Sequence, residues 1–133
     1  MDAPAEESSG TSENTWIMGG RFVQQMTTGT AMGQPFEGMG FFGYDNMKGE
    51  YTNLWLDNMS TGIMKSSSKY DAGTKSFSEE GSFPCPMTGE TDRKFRGSMK
   101  VIDNDHLLYE MYSNDPASGK EFKSMEISYA RVK

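Results

Sequence analysis

Short runs rich in β-branched, aromatic and methionine side chains alternate along this chain with clusters of Asn, Asp and Gly, and no helical period links them. Strand-length runs separated by such turn signals specify hairpins, and a long series of them specifies an all-β sandwich or barrel. Nine runs follow one another: 9–18, 21–28, 36–44, 50–57, 63–70, 76–83, 91–102, 106–112 and 120–131. The segments between them include Asp45-Asn46-Met47-Lys48-Gly49, Asp71–Lys75, Asp103-Asn104-Asp105 and Asp115–Gly119, all rich in turn formers. Fifteen glycines and the lack of apolar residues at three-to-four spacing exclude long helices.

Alternation along the runs assigns faces. Tyr51, Asn53, Trp55 and Asp57 share one side of their run, opposite Thr52, Leu54 and Leu56. Leu107, Tyr109 and Met111 oppose Leu108, Glu110 and Tyr112, and Met125, Ile127 and Tyr129 alternate with Ser124, Glu126 and Ser128. Few runs are apolar on one side only. Hydrophobic residues make up 35% of the chain and mean hydropathy is -0.70, yet aromatics reach 12%. A barrel with a mixed interior accommodates this pattern better than a dry sandwich.

A net charge of -6 with thirteen scattered Lys and Arg argues against nucleic acid and against anionic membrane surfaces. Residues 1–7 are acidic and read as a disordered tail before a single domain over 8–133, with neither a signal peptide nor a membrane anchor. The single cysteine, Cys85, rules out an intramolecular disulfide and fits a reducing, cytoplasmic setting.

Candidates for chemistry are few. Gly38-x-Gly40-x-x-Gly43 matches a dinucleotide-binding string but leads into a hairpin rather than a helix, so a bent strand is the expectation. His106 follows a turn and reads as solvated, with no metal partners in view. Cys85, between two prolines, has no basic residue next to it in sequence. Glu37, Asp57, Glu110 and Glu126 are candidate inward carboxylates, either paired with Arg21 or Arg96 or placed for hydrolytic chemistry. Twelve methionines suit core filling or an adaptable apolar pocket.

Several longer blocks carry a family resemblance: Gly19-Gly20-Arg21-Phe22, Met32-Gly33-Gln34-Pro35-Phe36-Glu37-Gly38 through Tyr44-Asp45-Asn46, Trp55 through Met64, Phe83 through Gly89, and Gly119 through Ile127. Together they resemble a bacterial family of unknown function whose fold is similar to the lipocalin (calycin) barrels. The resemblance implies an up-and-down antiparallel barrel. It lacks the N-terminal helix and Gly-x-Trp strand seen in such folds, so the barrel is expected to be open and its unpaired edges to favour homo-oligomers.

The expected function is non-catalytic binding of a small, largely apolar molecule in the barrel, without cofactor or metal. The expected lining is Arg21, Phe22, Tyr44, Tyr51, Trp55, Asp57, Met99, Tyr109 and Met111, with an enclosed cavity touching Trp55. The alternatives are a hydrolase using interior carboxylates and a structural or protein-interaction domain with a filled core.

Overall fold

The computed structural model describes residues 8–132. Nine strands follow in chain order: β1 (Gly10–Ile17), β2 (Phe22–Ala31), β3 (Gln34–Asp45), β4 (Glu50–Asp57), β5 (Met64–Asp71), β6 (Ser76–Cys85), β7 (Glu90–Asp103), β8 (His106–Asn114) and β9 (Glu121–Ala130). A three-residue 3-10 turn, Met18–Gly20, links β1 to β2. Each strand pairs antiparallel with its neighbours in sequence, in the order β1 to β9. The sheet curls into a half-barrel that is open between its two edges. No helix among the described residues is long and apolar enough to cross a membrane.

Hairpin turns are set by acidic side chains. Asp45 Oδ1 accepts hydrogen bonds from the amides of Met47 (2.9 Å) and Lys48 (3.1 Å). Asp71, Asp103 and Asp115 accept from the amides of Gly73, Asp105 and Ala117, each at 2.8–2.9 Å. A carboxylate folded back onto the following amides replaces the pairings those amides lose at the end of a ladder. In two of these turns a glycine four residues on closes the loop: Gly49 N–H donates to the Asp45 carbonyl and Gly119 N–H to that of Asp115, with φ of +68° and +72°. Positive φ is where glycine is needed.

Cys85 takes the place of aspartate in a third turn of this kind. Gly89 N–H donates to the Cys85 carbonyl at 2.9 Å, and Gly89 has φ +75°. The Cys85 sulfur stands where Asp45 and Asp115 carry their carboxylates. Burial pushes its pKa up, but hydrogen bonds from the Thr88 side chain and the Thr88 and Met87 amides, with the charge of Arg93, outweigh burial and leave it below the ordinary thiol value. Cys85→Asp is therefore expected to fold at least as stably as the parent, and Cys85→Ala to lose about 1 kcal/mol. Urea denaturation of the two variants checks this, and an aspartate variant weaker than the alanine one would refute the equivalence.

Register and alternation define the two faces. Tyr51, Ser68, Glu79, Gly97 and Met111 stand in one row across β4 to β8. Buried Ser68, Arg93, Phe95, Met111 and Ser113 all lie on this concave side. The convex side carries Lys65, Lys94, Arg96, Lys100, Glu110 and Lys123. A bulge between Met111 and Tyr112 leaves Ser124 unpaired in β9; its hydroxyl donates to the Met111 carbonyl at 3.2 Å. Across the concavity, the Tyr129 side chain of β9 lies near the Gln25 side chain of β2. Phe95 and Met111, each 5% exposed, are the buried hydrophobic residues among those described.

Candidate functional site

The centre of the concave face is polar and built around Glu79. Its Oε1 accepts from the Tyr109 hydroxyl (2.7 Å) and its Oε2 from the Ser66 hydroxyl (2.5 Å) and, more weakly, from Asn53 Nδ2 (3.5 Å). Asn53 also donates to Ser66 and Ser68 Oγ at 3.2 and 3.3 Å. Side chains from three other strands thus converge on one carboxylate of β6, and such hydrogen bonds to a charged acceptor are the stronger kind. Gly97 makes room for it: a Cβ there would sit 2.6 Å from Glu79 Oε1 and 2.9 Å from the Tyr109 hydroxyl.

Tyr109 is a permanent donor in this cluster. Burial, then the negative charge of Glu79 and the hydrogen bond to it, push its pKa far above the ordinary 10.0. The folded form therefore holds this proton more tightly than the unfolded chain does. Its stabilising contribution is complete below about pH 10 and is lost as pH climbs toward the raised value. Tyr129 is also raised, by burial, against a smaller opposing effect of Gln25. Ultraviolet titration should show late-ionising tyrosines, and Tyr109→Phe should reduce the fall in stability above pH 10. An unchanged alkaline profile in that variant would contradict the assignment.

Apolar walls flank the polar centre. Tyr44, Tyr51, Phe77 and Tyr70 form an aromatic row across β3 to β6, with successive ring centroids 5.0, 5.3 and 4.7 Å apart. On the other side of the centre Trp55 stacks on Phe36 at 6.4 Å, and its Nε1 donates to Asp57 Oδ2 at 2.8 Å. The Trp55 ring lies on Gly38 and Gly40: a Cβ at Gly38 would meet its Cζ2 at 2.3 Å, and one at Gly40 its Cε3 at 3.1 Å. Gly43 gives the same clearance to Phe22 on the opposite face, at 2.3 Å from its Cδ1. The glycine string is a seat for two aromatic rings on a strand, as the hairpin after it implied.

Of the nine expected lining residues, seven share the concave face: Tyr44, Tyr51, Trp55, Asp57, Met99, Tyr109 and Met111. Two do not. Phe22 pairs with Gly43 and lies on the convex side, 43% exposed, because its alternation is opposite to that of Val23. Arg21 is exposed in the turn before β2. Asp57 is held by Trp55 and by the Met59 amide (2.9 Å) rather than by Arg21.

The inward carboxylates also need correction. Glu37, Glu110 and Glu126 lie on the convex face, where Lys123 binds Glu110 and Glu126, each at 3.1 Å. Arg96 pairs with Glu121 at 2.6 Å. Glu79, not singled out above, is the central one. Its signal was the alternation Phe77, Glu79, Gly81, Phe83, which puts it between two phenylalanines on one side of β6. Glu79 shares a row with Tyr51, and Asp57 lies six residues further along β4, about 20 Å away. That separation exceeds the spacing of a glycosidase pair.

His106 is exposed at the β7–β8 turn, its Nδ1 2.8 Å from Asp103 Oδ1. The β6–β7 hairpin brings Arg93 to Cys85, a proximity that distance in sequence concealed. Two open depressions mark the surface. One, of about 380 Å3, lies among Thr61, Ile63, Lys65 and Phe83, and the other, of about 290 Å3, among Tyr44, Tyr51, Lys69 and Tyr70. Neither touches Trp55.

The architecture defines a class: an up-and-down antiparallel half-barrel with an aromatic-walled, polar-centred concave face. Residues 1–131 match a family described as a protein of unknown function, DUF1579, and the chain belongs to that family. No curated protein matches it.

Proposed function

We propose that the concave face binds a small, largely apolar molecule without transforming it, in the manner of a lipocalin-like barrel in a reducing, cytoplasmic setting. The observation that carries this reading is the Glu79 carboxylate, fixed by Tyr109, Ser66 and Asn53 between aromatic and methionine walls. Few, well-placed polar groups in an apolar concavity are what ligand sites use to orient a bound molecule. A carboxylate acceptor selects a ligand whose polar end donates hydrogen bonds, while Tyr51, Phe77, Met99 and Met111 cover its apolar body.

Native mass spectrometry of protein purified from its source should reveal a retained small molecule at one per chain. With defined probes, decylamine should bind at 1:1 and more tightly than decanoate, and Glu79→Gln should remove that preference. Absence of a retained molecule together with equal binding of the two probes would leave a structural domain as the better reading.

A further inference from the structure

We propose that the depression among Tyr44, Tyr51, Tyr70 and Glu50 binds a quaternary ammonium group, at a site distinct from the Glu79 cluster. The depression arises where two hairpins part. The β4–β5 ladder stops at Tyr51 and Ser68. The β3–β4 and β5–β6 ladders run further, to Asp45–Glu50 and to Asp71–Ser76. Beyond Tyr51 and Ser68 nothing ties one hairpin to the other, and a notch of about 290 Å3 opens between them. Asn53 and Ser66, which hold Glu79, lie on the other side of the Tyr51–Ser68 pair.

The walls are aromatic. Three of the six tyrosines of the chain line the notch. Tyr44 and Tyr70 are 52% and 45% exposed, so their rings stand open to a ligand. The Tyr51 ring is inclined 74° to that of Tyr44 and 77° to that of Phe77, and Phe77 backs Tyr70 at 4.7 Å. Planes so far from parallel form corners, not a slot. A flat ligand could stack on one ring alone, whereas a rounded group rests against several at once. The Tyr44 hydroxyl lies over Gly49, 4.0 Å from where a Cβ would stand, so this ring leans across the turn at one end of the notch.

Charge selects a cation. The faces of aromatic rings are negative and attract one. Glu50 is half-buried in the lining, and its carboxylate has neither a hydrogen bond nor an ion pair among the described residues. The net charge of -6 adds to the attraction. Lys69 is the opposing charge in the lining. It is exposed and forms no ion pair with Glu50, so its stem extends the wall while the Glu50 charge stays uncompensated.

The kind of cation follows from the lack of acceptors. A primary ammonium or a guanidinium carries several N–H donors, and one carboxylate does not satisfy them all. A quaternary ammonium has no donor and is held by ring faces and a nearby negative charge. The volume falls just under the roughly 300–1,000 Å3 of sites for drug-sized ligands, which suits a headgroup.

The test uses the full chain with choline, with its uncharged isostere bearing a tert-butyl group in place of trimethylammonium, and with methylammonium. Choline should bind at one per chain with a Kd of roughly 1 mM or below. Its N-methyl proton signal should move upfield, and the ring signals of Tyr44, Tyr51 and Tyr70 should shift with it. The isostere and methylammonium should each bind at least tenfold more weakly. Tyr44→Leu, Tyr70→Leu and Glu50→Gln should each weaken choline roughly threefold or more, and Lys69→Met should tighten it. Retention on phosphatidylcholine vesicles, reversed by choline, would identify a lipid headgroup as the source of the group; binding of choline without retention would identify a free cation. Equal binding of choline and its isostere, choline binding untouched by Tyr70→Leu combined with Glu50→Gln, or no binding at about 10 mM choline would each overturn the proposal. Glu50→Gln should keep the preference for decylamine over decanoate, and Glu79→Gln should keep choline binding, so either site can fail alone.

Discussion

Gly38→Ala should lower stability by about 2–3 kcal/mol, although it adds one methyl group to a strand and would ordinarily be mild. The reason is geometric. The new Cβ would stand 2.3 Å from Cζ2 and 2.7 Å from Cη2 of Trp55. The indole cannot simply lift away, because Nε1 is bonded to Asp57 and the ring stacks on Phe36. Removing the ring should remove most of the penalty, so Gly38→Ala in a Trp55→Leu background should cost under about 1 kcal/mol. Urea denaturation of the four proteins of this cycle measures the coupling. Strict additivity would show that the indole does not rest on Gly38.

Phe95→Ala should cost still more, about 3–5 kcal/mol, the range for removing a buried phenylalanine. Phe95 contacts Phe83 at a ring distance of 5.9 Å and stands against Gly81 on the concave side of β7. With Met111 it is one of two buried hydrophobic side chains among the described residues. A fold of this size has only about 5–15 kcal/mol to lose. Leu56→Ala, on the convex side and 39% exposed, should cost below about 1 kcal/mol. Thermal melts of the two variants would settle the assignment of faces: equal losses would mean that the sheet does not bury its concave side in preference.

The strands were legible because two independent signals coincide in this sequence. Aspartate at 45, 71, 103 and 115 opens turns whose amides it then binds, and the runs between these turns alternate. Faces were legible wherever alternation was regular, as in Tyr51 through Asp57, and failed where the phase was ambiguous. At the start of β2, Phe22 and Val23 are both apolar, and nothing local says that Gly43 will stand opposite Phe22. Glu79 was hidden for a different reason. A charged residue beside Glu80 reads as solvated, and only the approach of β4, β5 and β8 to β6 supplies the donors that make an inward carboxylate tolerable. Pairings of that kind live in the curl of the sheet, which no single strand encodes.

Because every strand pairs only with its neighbours in the chain, the molecule is energetically close to a linear array. Each hairpin can form from a short loop before any distant segment arrives, which favours rapid folding for an all-β protein. Unfolding should correspondingly run inward from the two edges, with β1 and β9 opening at the lowest free energy and the β6–β7 pair, which carries Phe95, opening last. A strand lost from either end leaves a shorter sheet of the same kind, so evolution can lengthen or trim this fold one hairpin at a time without redesigning its middle.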